Sequence, residues 1–77
     1  GHNCEVGDHV TMTARVVLSG GSRVKDHAWI GVGSTIKEGV TVGAHALIGM
    51  GSNVLKDVPP NEVWFGNPAR KQLPASE

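Results

Sequence analysis

An aliphatic residue returns at every sixth position of the chain: Val6, Met12, Leu18, Val24, Ile30, Ile36, Val42, Ile48 and Val54 follow one another without a miss or an insertion. On an α-helix, steps of six residues at about 100° each land about 240° apart, so these side chains would spread around the cylinder and define no face. A helix is excluded. Two residues ahead of each member runs a second series of small or apolar residues: Cys4, Val10, Val16, Ser22, Ala28, Ser34, Val40, Ala46 and Ser52. A pair such as Val10 and Met12 points to one side of a strand. Three residues then intervene, and the chain must turn within them if the next pair is to face the same interior.

The third members of those triplets are His9, Arg15, Gly21, His27, Gly33, Gly39, His45, Gly51 and Asp57, dominated by residues that tolerate a left-handed backbone. Short strands separated by equivalent turns, with two inward residues in every six, wind into a parallel β-solenoid. The periodicity by itself fixes neither the number of sides nor the hand.

Composition agrees with this reading. Eleven glycines, no tyrosine and one phenylalanine, beside many Val, Ile, Thr and Ser, describe strands and turns. Proline is absent until Pro59, which places a break at Val58. Residues 1–58 are expected to form the solenoid and residues 59–77 an irregular tail that caps it, with Pro60 standing where the next aliphatic residue is due and stopping the winding. The other end has no comparable cap, so either coils precede Gly1 or association covers it.

Seven basic and seven acidic side chains balance without clustering, which argues against a nucleic-acid footprint or a polybasic membrane anchor. No apolar run approaches the roughly 18 residues of a spanning helix, and no signal-peptide pattern opens the chain. The expectation is a soluble, cytoplasmic protein. Cys4, the single cysteine, excludes an internal disulfide. At 77 residues the domain is of a size that often needs a partner subunit.

The repeat resembles that of the hexapeptide-repeat acyltransferases, as do "GHNCEVGD" at the start and "VLKDVPPNEVWFGNPAR" at the end. The nearest pattern is that of bacterial enzymes acetylating sugars or nucleotide-linked amino sugars. The resemblance covers residues 1–71 and implies a left-handed parallel β-helix, a three-sided prism with 18 residues per coil and about three coils here. Residues 18 apart then stack, giving outward columns of Glu5, Arg23 and Thr41; of Thr11, Trp29 and Leu47; and of Val17, Thr35 and Asn53. Only the second column sets two large apolar side chains together. Trp29 and Leu47 mark the expected interface of a homotrimer, the alternative being that the tail covers Trp29.

The resemblance also implies chemistry. It makes His2 the general base that takes a proton from an acceptor amine or hydroxyl as that group attacks the thioester of acetyl-coenzyme A directly. It makes Gly20, one coil on from His2, the backbone N–H donor to the developing oxyanion. The coenzyme arm would pass Gly31, Gly33, Gly49 and Gly51, with Arg70 and Lys71 meeting its phosphates. The bland readings are that the glycines serve the turns, the basic pair is a solvated end, and His2 is a surface histidine at a terminus. Relatives place a second His where Thr11 stands and an acidic residue where Asn3 stands, so the group that orients His2 is open. Glu5 is near but is also the stacked neighbour of Arg23.

His9, His27 and His45, 18 apart, invite a metal site because hexapeptide carbonic anhydrases bind zinc through histidines. A ligand His would also be needed where Met50 stands, and all three occupy turn corners, so no metal is expected. The leading expectation is an acetyltransferase acting on a sugar-like amine or hydroxyl. The alternatives are a noncatalytic assembly module, the C-terminal part of a larger sugar-modifying enzyme or, last, a metal-dependent hydratase.

Overall fold

The computed structural model describes residues 3–72. Three parallel sheets form a β-solenoid of about three turns, with no helix among the described residues. The first sheet holds β1 (Glu5–Val6), β4 (Arg23–Val24) and β7 (Thr41–Val42). The second runs β2 (Thr11–Met12), β5 (Trp29–Ile30), β8 (Leu47–Ile48), β10 (Val63–Gly66) and β11 (Ala69–Lys71) in spatial order. The third holds β3 (Val17–Leu18), β6 (Thr35–Ile36) and β9 (Asn53–Val54). Partners in each ladder of β1 to β9 are 18 apart, as in Glu5 with Arg23, Trp29 with Leu47 and Thr35 with Asn53.

The inward series builds the core. Val24, Ile30, Ile36, Val42, Ile48 and Val54 are buried in the axis, and Ser22, Ala28, Ser34, Val40, Ala46 and Ser52 fill the space beside them. Each buried Ile or Val removes apolar area worth about 2 kcal/mol from water. The buried serines are satisfied: the Ser34 and Ser52 hydroxyls both donate to the Gly49 carbonyl, at 2.9 and 2.7 Å. Burial fades toward the first coil, where Val6 is 45% and Met12 41% exposed.

His9, Arg15, Gly21, His27, Gly33, Gly39, His45 and Gly51 all have positive φ, as the turn reading expects. From His27 on, each such corner lends its N–H to the coil below, as His45 does to Asp26 O (3.0 Å) and Gly51 to Val32 O (2.8 Å). Asp57 is the exception and is not left-handed; Asn61 takes the next corner instead, with φ 65°.

The reason is a contraction that the spacing does not announce. Val58 enters the core four residues after Val54 and bridges Val42, 16 positions back where earlier rungs are 18 apart. Pro60 therefore does not stop the winding. β10 continues it, pairing parallel with β8 through Val63 to Leu47 and Trp64 to Ile48. The Asp57 carboxylate fills the gap left by the shortened turn: its Oδ1 accepts the Thr41 N–H at 2.9 Å, where the matching Arg23 N–H finds the Val40 carbonyl.

The segment after Val58 is thus more regular than its composition implies. The chain reverses beyond Gly66, with Asn67–Pro68 cis, and β11 returns antiparallel to β10. Trp64 packs on the core end and Ala69 is buried there. As far as residue 72 the tail extends the column of Thr11, Trp29 and Leu47 by Val63, and Trp29 is exposed.

Candidate functional site

The turns stack into three edges, and each collects a different chemistry. The edge between the third and first sheets carries residues 19–21, 37–39 and 55–57. Here the Ser19 N–H donates to Ile36 O at 3.1 Å, and the Ser19 carbonyl accepts from Ser22 N (3.1 Å) and from Cys4 Sγ (3.3 Å). The Gly20 carbonyl accepts from Gly39 N at 3.1 Å, whereas the Gly20 N–H has no acceptor among the described residues. Gly20 is exposed, so its amide is an available donor beside a surface without a side chain.

His2 lies outside the described residues. Its neighbourhood keeps the phase of the turn: Asn3 has φ 59° at the position that Gly21 and Gly39 hold one and two coils on. The Ser22 hydroxyl donates to Cys4 Sγ at 3.5 Å, which stacks residue 4 on residue 22. Glu5 is committed elsewhere, its Oε2 3.5 Å from Arg23 Nε on the solvent face.

Lys56 follows Gly20 and Glu38 along this edge at the middle of its triplet in sequence, although its turn is the contracted one and lacks their left-handed corner. It lines a cleft of about 300 Å³ with Leu55, Trp64, Pro68, Arg70 and Lys71. β11 brings Arg70 and Lys71 to this cleft by its antiparallel return. Glu62 binds Lys71 (3.4 Å) and accepts the Trp64 indole N–H (2.9 Å), while Lys56 and Arg70 have no ion-pair partner among the described residues. Three cations against one carboxylate favour an anion there. Sequence reasoning found Arg70 and Lys71 and missed Lys56, although its spacing of 18 from Glu38 and 36 from Gly20 was readable.

The edge between the second and third sheets holds the four glycines singled out above, in two environments. Gly33 and Gly51 are exposed left-handed corners, φ 75° and 66°. Gly31 is buried beneath the backbone of Gly49 and Met50, and Phe65 lies over Gly49. This edge is separate from that of Gly20, the third sheet lying between them.

On the remaining edge His9, His27 and His45 stack face to face, ring centroids 5.1 and 4.8 Å apart and planes within 14° and 9°. Rings stacked in near-parallel planes this far apart keep their nitrogen lone pairs in separate planes, which do not converge on one ion. Among the described residues no group of three or more His, Cys, Asp or Glu is placed to hold a metal. No helix among them is long and apolar enough to cross a membrane.

Residues 21–56 match the family described as bacterial transferase hexapeptide (six repeats). The repeat of this chain is that of the hexapeptide transferases. A comparison with curated proteins finds no match. Among solved structures, the hexapeptide-repeat chain superposes on the acetyltransferase domain of PglB from Neisseria gonorrhoeae in complex with acetyl coenzyme A, with TM-score 0.90 and 30% identity over 92% of this chain and 35% of that one. WeeI from Acinetobacter baumannii gives TM-score 0.88 and 38% identity, covering 92% of this chain and 36% of that chain. PerB from Caulobacter crescentus, in complex with CoA and GDP-perosamine, gives 0.86 and 33%, covering 92% and 34%. The chain spans about a third of the length of these three solved chains.

Proposed function

We propose that this hexapeptide-repeat chain, as a homotrimer, transfers the acetyl group of acetyl-coenzyme A to an amine or hydroxyl of a sugar-like acceptor. The observation that carries the reading is an exposed Gly20 amide with no acceptor among the described residues and, at the end of the same edge, Lys56, whose cationic cleft is completed by Arg70 and Lys71 from β11 of the second sheet. The first suits a carbonyl oxygen that becomes an oxyanion, and the second suits phosphates. Relatives of similar fold bound to acetyl coenzyme A and to CoA support the choice of coenzyme.

In this mechanism the acceptor nitrogen or oxygen attacks the acetyl carbonyl as His2 takes its proton. The carbonyl oxygen becomes an anion held by the Gly20 N–H. The carbon–sulfur bond then breaks, coenzyme A leaves as thiolate, and the proton on His2 passes to that sulfur. Gly33 and Gly51, on the edge that the third sheet separates from Gly20, offer an exposed surface without side chains that would border the pantetheine arm from a neighbouring protomer of the trimer. Gly31 and Gly49 act from beneath, by letting Met50 and Phe65 pack close.

Trimerisation rests on the second sheet. Trp29, Leu47 and Val63 are 36, 40 and 42% exposed in one outward column, an apolar strip that a second copy of the chain would cover. It also places one protomer's edge beside another's face, a groove for the coenzyme. A cytoplasmic location fits an enzyme that draws on acetyl-coenzyme A.

Thiol release from acetyl-coenzyme A with a panel of amino sugars tests the reading. The parent chain is expected to turn over, His2→Ala to lose at least about a hundredfold in kcat, and Lys56→Glu to raise KM for the coenzyme about tenfold. Equal release by parent and His2→Ala would remove His2 as base. No release with any acceptor would favour a second reading, an assembly module or the C-terminal part of a larger sugar-modifying enzyme, for which the one-third span of the solved chains speaks.

A further inference from the structure

We infer that Cys4 is a positioning residue that aims the Gly20 amide, an inference that rests on the acetyl-transfer reading above. The N–H of Gly20 and the carbonyl of Ser19 belong to one peptide unit, which is planar and trans. The two groups therefore point in opposite directions, and whatever holds the Ser19 carbonyl sets the direction of the Gly20 N–H.

That carbonyl is held from two sides. The Ser22 N–H reaches it at 3.1 Å and closes the turn, an arrangement repeated in the next coil by Val40 N to Lys37 O, also 3.1 Å. The Cys4 thiol is the second donor, its one hydrogen shared between Ser19 O at 3.3 Å and Leu18 O at 3.4 Å. No side chain does this for the matching Lys37 carbonyl among the described residues. Cys4 is half-buried, and its sulfur accepts the Ser22 hydroxyl at 3.5 Å. Ser22 is itself fully buried, so the thiol is anchored by a group with nowhere else to go.

A chain of contacts thus runs from Ser22 Oγ through Cys4 Sγ to Ser19 O. It turns the Ser19 carbonyl toward the prism and the Gly20 N–H away from it. A donor aimed before the substrate arrives is worth more to an oxyanion than one that must reorient, because no reorganisation accompanies the reaction. The effect falls on the transition state and not on coenzyme binding. Thiol hydrogen bonds are weak, so the expected contribution is modest.

The test compares the parent chain with Cys4→Ala and Cys4→Ser by steady-state thiol release and by proton–nitrogen correlation spectra. Cys4→Ala is expected to lose about three- to tenfold in kcat with KM for acetyl-coenzyme A unchanged, and Cys4→Ser to recover most of it. In the spectra the Gly20 amide is expected to move in Cys4→Ala and return in Cys4→Ser, while Glu38, at the same turn position one coil on, stays put. A Gly20 amide that does not move overturns the inference, as does a kinetic loss confined to KM or one that serine fails to restore. A parent chain that releases no thiol removes the acetyl-transfer reading instead, and the spectra still decide whether Cys4 sets this amide.

Discussion

Gly31→Ala, set against Gly39→Ala, separates the two demands that a tightly wound solenoid makes on glycine. At Gly39 φ is 75° and a β-carbon would meet nothing within 4 Å. Alanine there bears only the left-handed backbone, about 1–2 kcal/mol, partly offset by about 0.4–1 kcal/mol from the stiffer unfolded chain. Gly31 has no positive φ, but its β-carbon would sit 2.7 Å from Met50 N, 2.9 Å from Gly49 C and 3.0 Å from Ile48 O. All three are backbone atoms of the next coil, and the Gly31 N–H to Ile48 O bond of 2.8 Å fixes their height. No rotamer relieves the clash, so the coils must part, at the upper end of the usual overpacking cost, about 3 kcal/mol. Urea unfolding at one protomer concentration reads the difference as a shift in midpoint at constant slope. Gly31→Ala should lie at least about 1 kcal/mol below Gly39→Ala. Equal midpoints would mean that axial contact between coils does not set the spacing.

Asp57→Ala strips the Thr41 N–H of the carboxylate that replaces a ladder carbonyl, and should cost about 1 kcal/mol in the same titration, while Asp57→Asn, which keeps an acceptor, stays within about 0.5 kcal/mol. A loss as large for asparagine as for alanine would point to charge and not to the hydrogen bond. Light scattering on the parent chain should report about three times the 8.0 kDa protomer, and Trp29→Lys should return it toward monomer. A parent already monomeric at working concentration would sink the proposed interface.

The winding was legible because a six-residue period is a geometric statement: it survives wherever each turn has equal length. From Val6 to Val54 the turns do, and the inward series, the ladders and the left-handed corners all fall where the spacing puts them. The period carries no information about a turn that shortens, so the contraction at residues 55–57 and the entry of Val58 into the core were hidden. Two consecutive prolines read as a stop, yet Pro59 and Pro60 are accommodated, with Asn61 as the left-handed corner whose N–H reaches Ala44 O at 3.0 Å. The partly hidden site follows from the same cause. Arg70 and Lys71 were visible as charges, but their meeting with Lys56 depends on a hairpin reversal that no repeat encodes.

The order of groups along the Gly20 edge argues for the direction in which a coenzyme would lie. Along this edge the middle residues of successive triplets are the bare amide of Gly20, then Glu38, then, in the contracted turn, Lys56 at the mouth of the cationic cleft. Glu38 is exposed and has no ion-pair partner among the described residues, so its carboxylate repels phosphate at the middle of the edge. An anionic ligand with a long uncharged arm avoids that repulsion only by passing the arm over Glu38, phosphates beyond and thioester before. Reversing the ligand would set its phosphates at Gly20, where Lys37 is the one nearby cation of the edge and Glu38 stands beside it, in place of the three cations of the cleft. Glu38→Gln should therefore tighten coenzyme A by no more than about fivefold at low ionic strength, as expected for a screened charge at roughly one coil's remove, and the gain should vanish in high salt. Calorimetric titration reads both. A gain that persists in high salt would not be Coulombic, and an unchanged affinity at low salt would mean that the phosphates do not approach along this edge.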